Sequence, residues 1–271
     1  MYMLMIKPTM LMVILKKYRE GICNMDWIER PLGKNYVKDA NLDSLLKGKR
    51  IAYVGPAPQN VDTGYGEKID SYDLVVRTGD ILRGDDVAKD YGSRTDIIVH
   101  SYNDHDMNSF TEDDYYDMKK CECLICAQTP GDLYEQTGDF LKDVGVPYHQ
   151  VSSEVFEGEN GLRKFVASQD GEETCLPNTG YNGILLMLMY EVEEIFMTGM
   201  TFYDMGKWVK SYHDNWYTEG GSSKKFKRYG LNETRDQHKQ IPQIKHFQKI
   251  YEFHKDRIVL DKYLSDNLWS L

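Results

Sequence analysis

The chain has 271 residues, 41% hydrophobic and 28% charged, enough for one α/β domain with a sizeable core. Its net charge of -10 argues against nucleic acid as a partner, because binding a phosphate backbone takes a basic face that releases counterions. Five cysteines, an odd number without paired spacing, argue against a disulfide framework and point to a reducing, cytoplasmic compartment.

The first 15 residues, MYMLMIKPTMLMVIL, carry 12 apolar side chains. Lys7 and Pro8 interrupt the run, whereas a spanning helix needs roughly 20 apolar residues. Residues 1–25 therefore read as a Met-rich leader outside the fold, either a bland amphipathic stretch or a membrane-associating segment over residues 1–16. Residues 26–271 read as a single domain. Within it NLDSLL (Asn41 to Leu46) predicts an N-capped helical turn, followed by a strand at RIAYVG, a helix over Gly64–Asp70 and a strand at DLVVRT. A helix over Asp86–Tyr91, the strand TDIIVHS, a helix over Glu112–Lys119 and the strand CLICAQT come next. Helices over Gly131–Val144, Val155–Ser168 and Thr179–Tyr190 alternate with the strands VPYHQVS and IFMTGM. GGSSKKFKRYGLNETRD, Gly220 to Asp236, reads as a long loop before a helix over His238–His254 and a last strand, RIVLD. Apolar runs separated by helices imply a Rossmann-like domain, a mostly parallel sheet of about seven strands with helices on both faces.

In such sheets ligands sit at the carboxyl ends of the strands, beside helix N-termini whose amides attract anions. That singles out the loop after Val54, the turn LPNTGYNG before Thr179, and the loops after Gly199. After Gly55 come Pro56, Ala57 and Pro58, so no G-x-G-x-x-G cradle is present. Small residues there still admit a nucleotide-sized ligand, and a purely structural strand-loop-helix fits equally well. Asn178 and Thr179 open a helix, either as an ordinary N-cap or as an anion or ribose site.

Val54-Gly55, Gly64-Tyr65-Gly66, Ile69-Asp70-Ser71-Tyr72-Asp73 and Val76-Arg77 follow the order and spacing of the long motif of the sialyltransferases, glycosyltransferase family 29, which this stretch resembles. Tyr91-Gly92-Ser93-Arg94-Thr95 continues the likeness. About 100 residues further on, Leu176-Pro177-Asn178-Thr179-Gly180, Glu193-Glu194 and IFMTGMTFYD are similar to the short motif. SYHDNWY resembles the third motif and offers His213; His238 stands where the last motif has its histidine, with Gln243 in place of the family's acid.

The resemblance implies a sialyltransferase-type variant of the GT-A fold and an inverting, metal-independent transfer of sialic acid or a related acidic sugar. The donor is a CMP-sugar, the acceptor a glycan hydroxyl, and no cofactor beyond the donor is needed. By the same resemblance His238 is the general base, with His246 as the alternative, and His213 stabilises the departing phosphate. Nucleotide contacts fall to Gly55, Pro56, Ala57, Arg77, Thr78, Gly79, Asn178, Thr179, Gly180 and Tyr217. Pro56 and Gly79 occupy places where the family usually carries Asn, and Ile51 and Tyr190 stand where its disulfide cysteines would be.

Three other features carry competing readings. Asp104-His105-Asp106 is a D-x-D, the pattern by which a metal-dependent transferase holds a nucleotide-diphosphate sugar. Cys121, Cys123 and Cys126 are spaced like zinc ligands, although an apolar run there also reads as a buried strand. Tyr203 to Arg257 holds 12 Lys or Arg against seven Asp or Glu, a solvated basic face or a surface that draws in an anionic donor. A non-catalytic nucleotide- or glycan-binding relative is the remaining alternative.

Overall fold

Alternation along the strands sorts the side chains to two faces, and helices cover both. The computed structural model describes residues 27–79, 85–128, 131–158, 160–202 and 239–270. The strands are β1 Arg50–Val54, β2 Leu74–Thr78, β3 Ile97–His100, β4 Cys123–Cys126, β5 Tyr148–Gln150, β6 Glu194–Thr198 and β7 Ile258–Leu260. All seven pair in parallel in the order β5-β4-β3-β2-β1-β6-β7. The chain walks outward from β1 to β5, crosses back to β6 on the other side of β1, and finishes at β7. The strand order therefore reverses between β1 and β6.

On one face Ile51, Tyr53, Val76, Val99, Ile125, Ile195 and Met197 meet the large core. It is covered by α1 (Ala40–Leu46) together with α8 (Leu162–Ser168), α9 (Thr179–Leu188) and α10 (Gln240–His254). On the other, Ala52, Val54, Val75 and Phe196 meet α2 (Gly66–Asp70) and α3 (Asp85–Tyr91). Ile98, Leu124 and Cys126 meet α5 (Glu112–Met118) and α6 (Tyr134–Val144). Helix α9 is buried at every position from Gly180 to Leu188, so it reads as an apolar rod rather than an amphipathic helix.

Several expectations shift in detail. Asp39, not Asn41, caps α1, its carboxylate accepting from Leu42 N at 2.8 Å. The helix expected over Val155–Ser168 is two, α7 (Ser153–Phe156) and α8. Between them Gly158 has φ +85°, and a Cβ on Gly161 would come 2.1 Å from Glu157 O. Two short helices are additions: α4 (Asp104–Met107), capped by Asn103, and α11 (Lys262–Asn267), capped by Asp261. Among the described residues no helix is long and apolar enough to cross a membrane.

Candidate active site

The loops that follow β1 and β6 are bound to each other. Gly55 N donates to Thr198 O at 2.9 Å and Ala57 N to Gly199 O at 2.8 Å. A Cβ on Gly55 would lie 2.3 Å from Gly199 O, and one on Gly199 would lie 2.1 Å from Gly55 O. Buried Asn60 locks the junction: its Oδ1 lies 2.8 Å from the Thr198 hydroxyl and accepts from Gly199 N at 3.1 Å. Asp261 approaches the same groups from beyond β7, 2.9 Å from the Thr198 hydroxyl. Burial pushes its carboxyl up, against hydrogen bonds from Leu264, Thr198 and Gly199 and the charge of Lys68.

The loop after β1 is held on its other side by α3. The Tyr91 hydroxyl donates to Ala57 O at 2.7 Å, and the Asp90 carboxylate accepts from Asp62 N at 2.9 Å and Gly64 N at 2.8 Å. Asp62, Tyr102 and Phe202, non-glycine residues with left-handed backbone, follow β1, β3 and β6. Backbone strain is thus gathered on the carboxyl side of the sheet, as it is at many functional sites.

Across from these loops stands the N-terminus of α9. Asn178 caps it, Oδ1 accepting from Tyr181 N at 2.8 Å, while Gln243 Oε1 takes the Asn178 amide N–H at 3.0 Å and side-chain Nδ2 at 2.9 Å. The Tyr53 hydroxyl donates to Gly180 O at 2.9 Å, and a Cβ on Gly180 would lie 3.2 Å from Thr78 Oγ1, so the helix starts directly against the ends of β1 and β2. Gly79, with φ +73°, lies beside Pro56: a Cβ on it would be 4.0 Å from Pro56 Cγ. Gly55, Pro56, Ala57, Thr78, Gly79, Asn178, Thr179 and Gly180 are therefore brought together at one mouth.

The donors at that mouth are unevenly committed. Gly55 N and Ala57 N are used against the β6 loop, and Gly79 N donates to Val99 O at 3.1 Å. Pro56 has no N–H. The amides of Thr179 and Gly180, in the first turn of α9, have no hydrogen-bond partner among the described residues. Unpaired amides at the start of a ten-residue helix are able to accept an anion, by geometry and dipole together.

Arg77 is a correction. Its buried guanidinium turns away from the mouth: Nε donates to Arg94 O at 3.0 Å and Thr95 Oγ1 at 2.8 Å, and a terminal nitrogen to Tyr91 O at 2.8 Å and Gly92 O at 3.0 Å. Burial lowers it to about 10 against the pull of Asp70 and Asp96. Asp70 clamps the same loop, accepting from Ser93 N, the Ser93 hydroxyl and Arg94 N. Burial would raise that carboxyl, but these hydrogen bonds hold it below the usual range. These residues fold the loop after α3, and the Nε and terminal-nitrogen contacts of Arg77 are spent on that loop.

His246 is a second correction. It is fully buried, with Nδ1 2.7 Å from the Tyr181 hydroxyl, and burial together with the Lys249 charge lowers it to about 3, so it cannot take a proton near neutrality. His213, Tyr217 and His238 lie outside the described residues, as does the loop expected at Gly220 to Asp236.

The D-x-D residues diverge. Positions i and i+2 of a helix differ by about 200° in direction. Asp104 accepts from Asn108 Nδ2 at 2.9 Å, whereas Asp106 binds the Ser101 hydroxyl and lies 3.4 Å from His100 Nδ1. The cysteines divide between faces, Cys123 in one core and Cys121 and Cys126 in the other. Burial pushes the thiols of Cys121 and Cys123 up to about 12, the opposite of what a zinc thiolate needs. Among the described residues no cluster of His, Cys, Asp and Glu is arranged to hold a metal.

No protein-family model matches the chain, and no curated protein matches it in sequence. Solved structures do. The sialyltransferase CstII from Campylobacter jejuni, determined with the substrate analogue CMP-3FNeuAc, superposes with a TM-score of 0.53 at 14% identity, covering 80% of this chain and 84% of that one. The fold is that of a sialyltransferase. A mammalian sialyltransferase is also similar, with a TM-score of 0.47 at 18% identity over 90% of this chain and 78% of its own. Its complex with Gal-beta-1-3GalNAc-ortho-nitrophenol gives 0.47 at 17% identity, over 89% and 86%. In the sialyltransferase fold of this chain the crevice of interest is the one between the β1 and β2 ends and the start of α9.

Asn60 is a site-building residue that sequence reasoning passes over, and Gln243, visible there only as a departure from the family's acid, is another. Each is a buried amide whose role lies in a partner more than 60 residues away, Asn178 and the β6 end respectively. The visible trace of Gln243 is its position on the buried face of α10 beside Ile244 and Phe247.

Proposed function

We propose that the protein is an inverting, metal-independent glycosyltransferase that moves sialic acid or a related acidic sugar from a CMP-linked donor to a glycan hydroxyl. The observation that carries this reading is the pair of uncommitted amides at Thr179 and Gly180, aimed from α9 at the mouth of a sialyltransferase fold. They suit the phosphate of a nucleoside monophosphate, and the neighbouring Pro56 and Gly79 leave room for the backbone to approach the nucleoside. CstII is known with a CMP-sugar analogue bound, which fits the same donor class.

In the reaction, the acceptor hydroxyl attacks the anomeric carbon as the bond to the donor phosphate oxygen breaks. His238 takes the hydroxyl proton, a task suited to an imidazole near neutral pH. The charge left on CMP is met by the Thr179 and Gly180 amides and by His213. A dissociating phosphate monoester carries that charge without a metal when fixed dipoles and an imidazole surround it.

Thr179→Pro tests the reading. Thr179 is the first residue of α9, where proline is tolerated, and Asn178 before it is already extended at φ -68° and ψ 157°. The substitution deletes one amide donor and keeps the helix. CMP is expected to bind the parent protein in calorimetric titration, and the variant about ten- to a hundredfold more weakly, since hydrogen bonds to charged groups contribute about 1.5–3 kcal/mol. Binding of UDP or GDP with Mn²⁺ in place of CMP contradicts the donor class.

A further inference from the structure

At the far edge of the sheet lies a cavity of about 590 Å³, lined by β5, α6 and Asp39. Among the described residues strand β5 pairs only with β4, and the flanking Pro147 O and Val151 N bond to β4 as well. Alternation along a parallel strand then turns the main-chain groups of Tyr148 and Gln150 to the open edge. The volume is within the range of small-ligand sites.

The walls are rich in hydrogen-bond acceptors. Asp39, Glu135 and Asp139 contribute carboxylates, against the single ammonium of Lys142, which is paired with Asp139 at 3.1 Å. Tyr134 and Tyr148 add aromatic rings. His149 also lines the cavity although it is only 9% exposed. Its Nε2 is held 2.9 Å from the Tyr36 hydroxyl, and its other ring nitrogen has no partner among the described residues. Gly138 stands in the interior of α6, where glycine is less favourable than alanine. A Cβ there would meet only Gln150 Oε1, at 3.4 Å. Sterics therefore do not demand this glycine, and what its missing side chain leaves is space in the cavity wall.

Acceptor-rich walls with aromatic surfaces suit a ligand that brings many hydroxyl donors and apolar C–H faces but no negative charge. Three carboxylates to one ammonium repel phosphates, nucleotides and sialic acid alike. We infer that this sheet-edge cavity is a second saccharide site, taking one or two rings of a neutral glycan. It is separated from the β1 and β2 ends by β3 and β4, a distance of about 15 Å at ordinary strand spacing. Saccharide binding here does not depend on the transferase reading; a role in anchoring an extended acceptor does.

The test is a titration of the full chain with lactose, N-acetyllactosamine and maltose, followed by NMR of the His149 ring and Gln150 side-chain signals. The parallel titration uses CMP and N-acetylneuraminic acid. At least one neutral disaccharide is expected to shift these signals in a saturable way, with N-acetylneuraminic acid leaving them unmoved. Gly138→Leu, a better helix former that fills the wall, is expected to weaken that binding about tenfold or more while CMP binding is unchanged. Glu135→Gln, at an exposed position, gives a second reading through the loss of one acceptor charge and is expected to weaken it by a smaller factor. The inference is overturned when none of the three sugars moves the signals, when both variants bind as the parent does, or when an anion occupies the cavity more tightly. Failure of CMP binding alone leaves it standing and overturns only the donor reading.

Discussion

Gly199→Ala is expected to lower stability by about 3–5 kcal/mol, a fall in Tm of roughly 10 °C for a domain of this size. Two costs combine. Gly199 has φ +66°, which a side chain rarely adopts, and its new Cβ would sit 2.1 Å from Gly55 O, a main-chain atom that cannot rotate aside. Relief requires the β1 and β6 loops to part, breaking the Ala57 N to Gly199 O hydrogen bond and unseating buried Asn60. Gly64→Ala separates the two costs, because Gly64 has φ +68° with nothing within 4 Å of a Cβ. It is expected to lose only about 1 kcal/mol, the conformational part. Thermal unfolding of both variants checks the pair; equal losses would mean that the close β1–β6 approach contributes nothing.

The second large effect is an acid limb of stability set by buried histidines. Burial depresses His246 to about 3, and it also lowers His149 and His254. In the unfolded chain these imidazoles protonate near pH 6.5, so below that pH the unfolded state binds more protons than the folded one. The stability they contribute is complete above pH 6.5 and is lost as pH falls toward the folded value. For His246 alone the loss is about 3 kcal/mol by pH 4. Urea unfolding at pH 7, 5 and 4 reads it directly. His246→Gln, which keeps a partner for the Tyr181 hydroxyl, is expected to flatten the profile. Parallel profiles for parent and variant would show that His246 is not held neutral in the folded protein.

All seven strands are legible in the sequence because a parallel sheet covered on both faces turns each strand into a short apolar run. What escapes is decided by single polar contacts. Helices α4 and α11 are short and polar, and their existence depends on the Asn103 and Asp261 caps rather than on any period. The mouth is legible through Gly55, Pro56, Gly79 and the Asn178 cap, since these follow from where strands end and helices begin. Arg77 is not, because the direction of its guanidinium is chosen by the carbonyls of Tyr91, Gly92 and Arg94. Much of the stretch that resembles a donor-binding motif is therefore scaffold. Asp70, Arg77, Gly92 and Ser93 build one loop, and Gly66 packs against α3, where a Cβ would lie 2.0 Å from Ala88 O.

Under the proposed function the ligand chemistry rests on few groups, the amides of Thr179 and Gly180 together with His213 and His238. The most direct measurement is transfer itself: CMP-sialic acid and N-acetyllactosamine incubated with the full chain in EDTA, with CMP release and the anomeric configuration of the product followed by NMR. Stoichiometric CMP and a sialylated product of inverted configuration are expected, with both lost in His238→Ala. No product from any CMP-linked acidic sugar, or transfer only when Mn²⁺ and a nucleotide-diphosphate sugar are supplied, would contradict it.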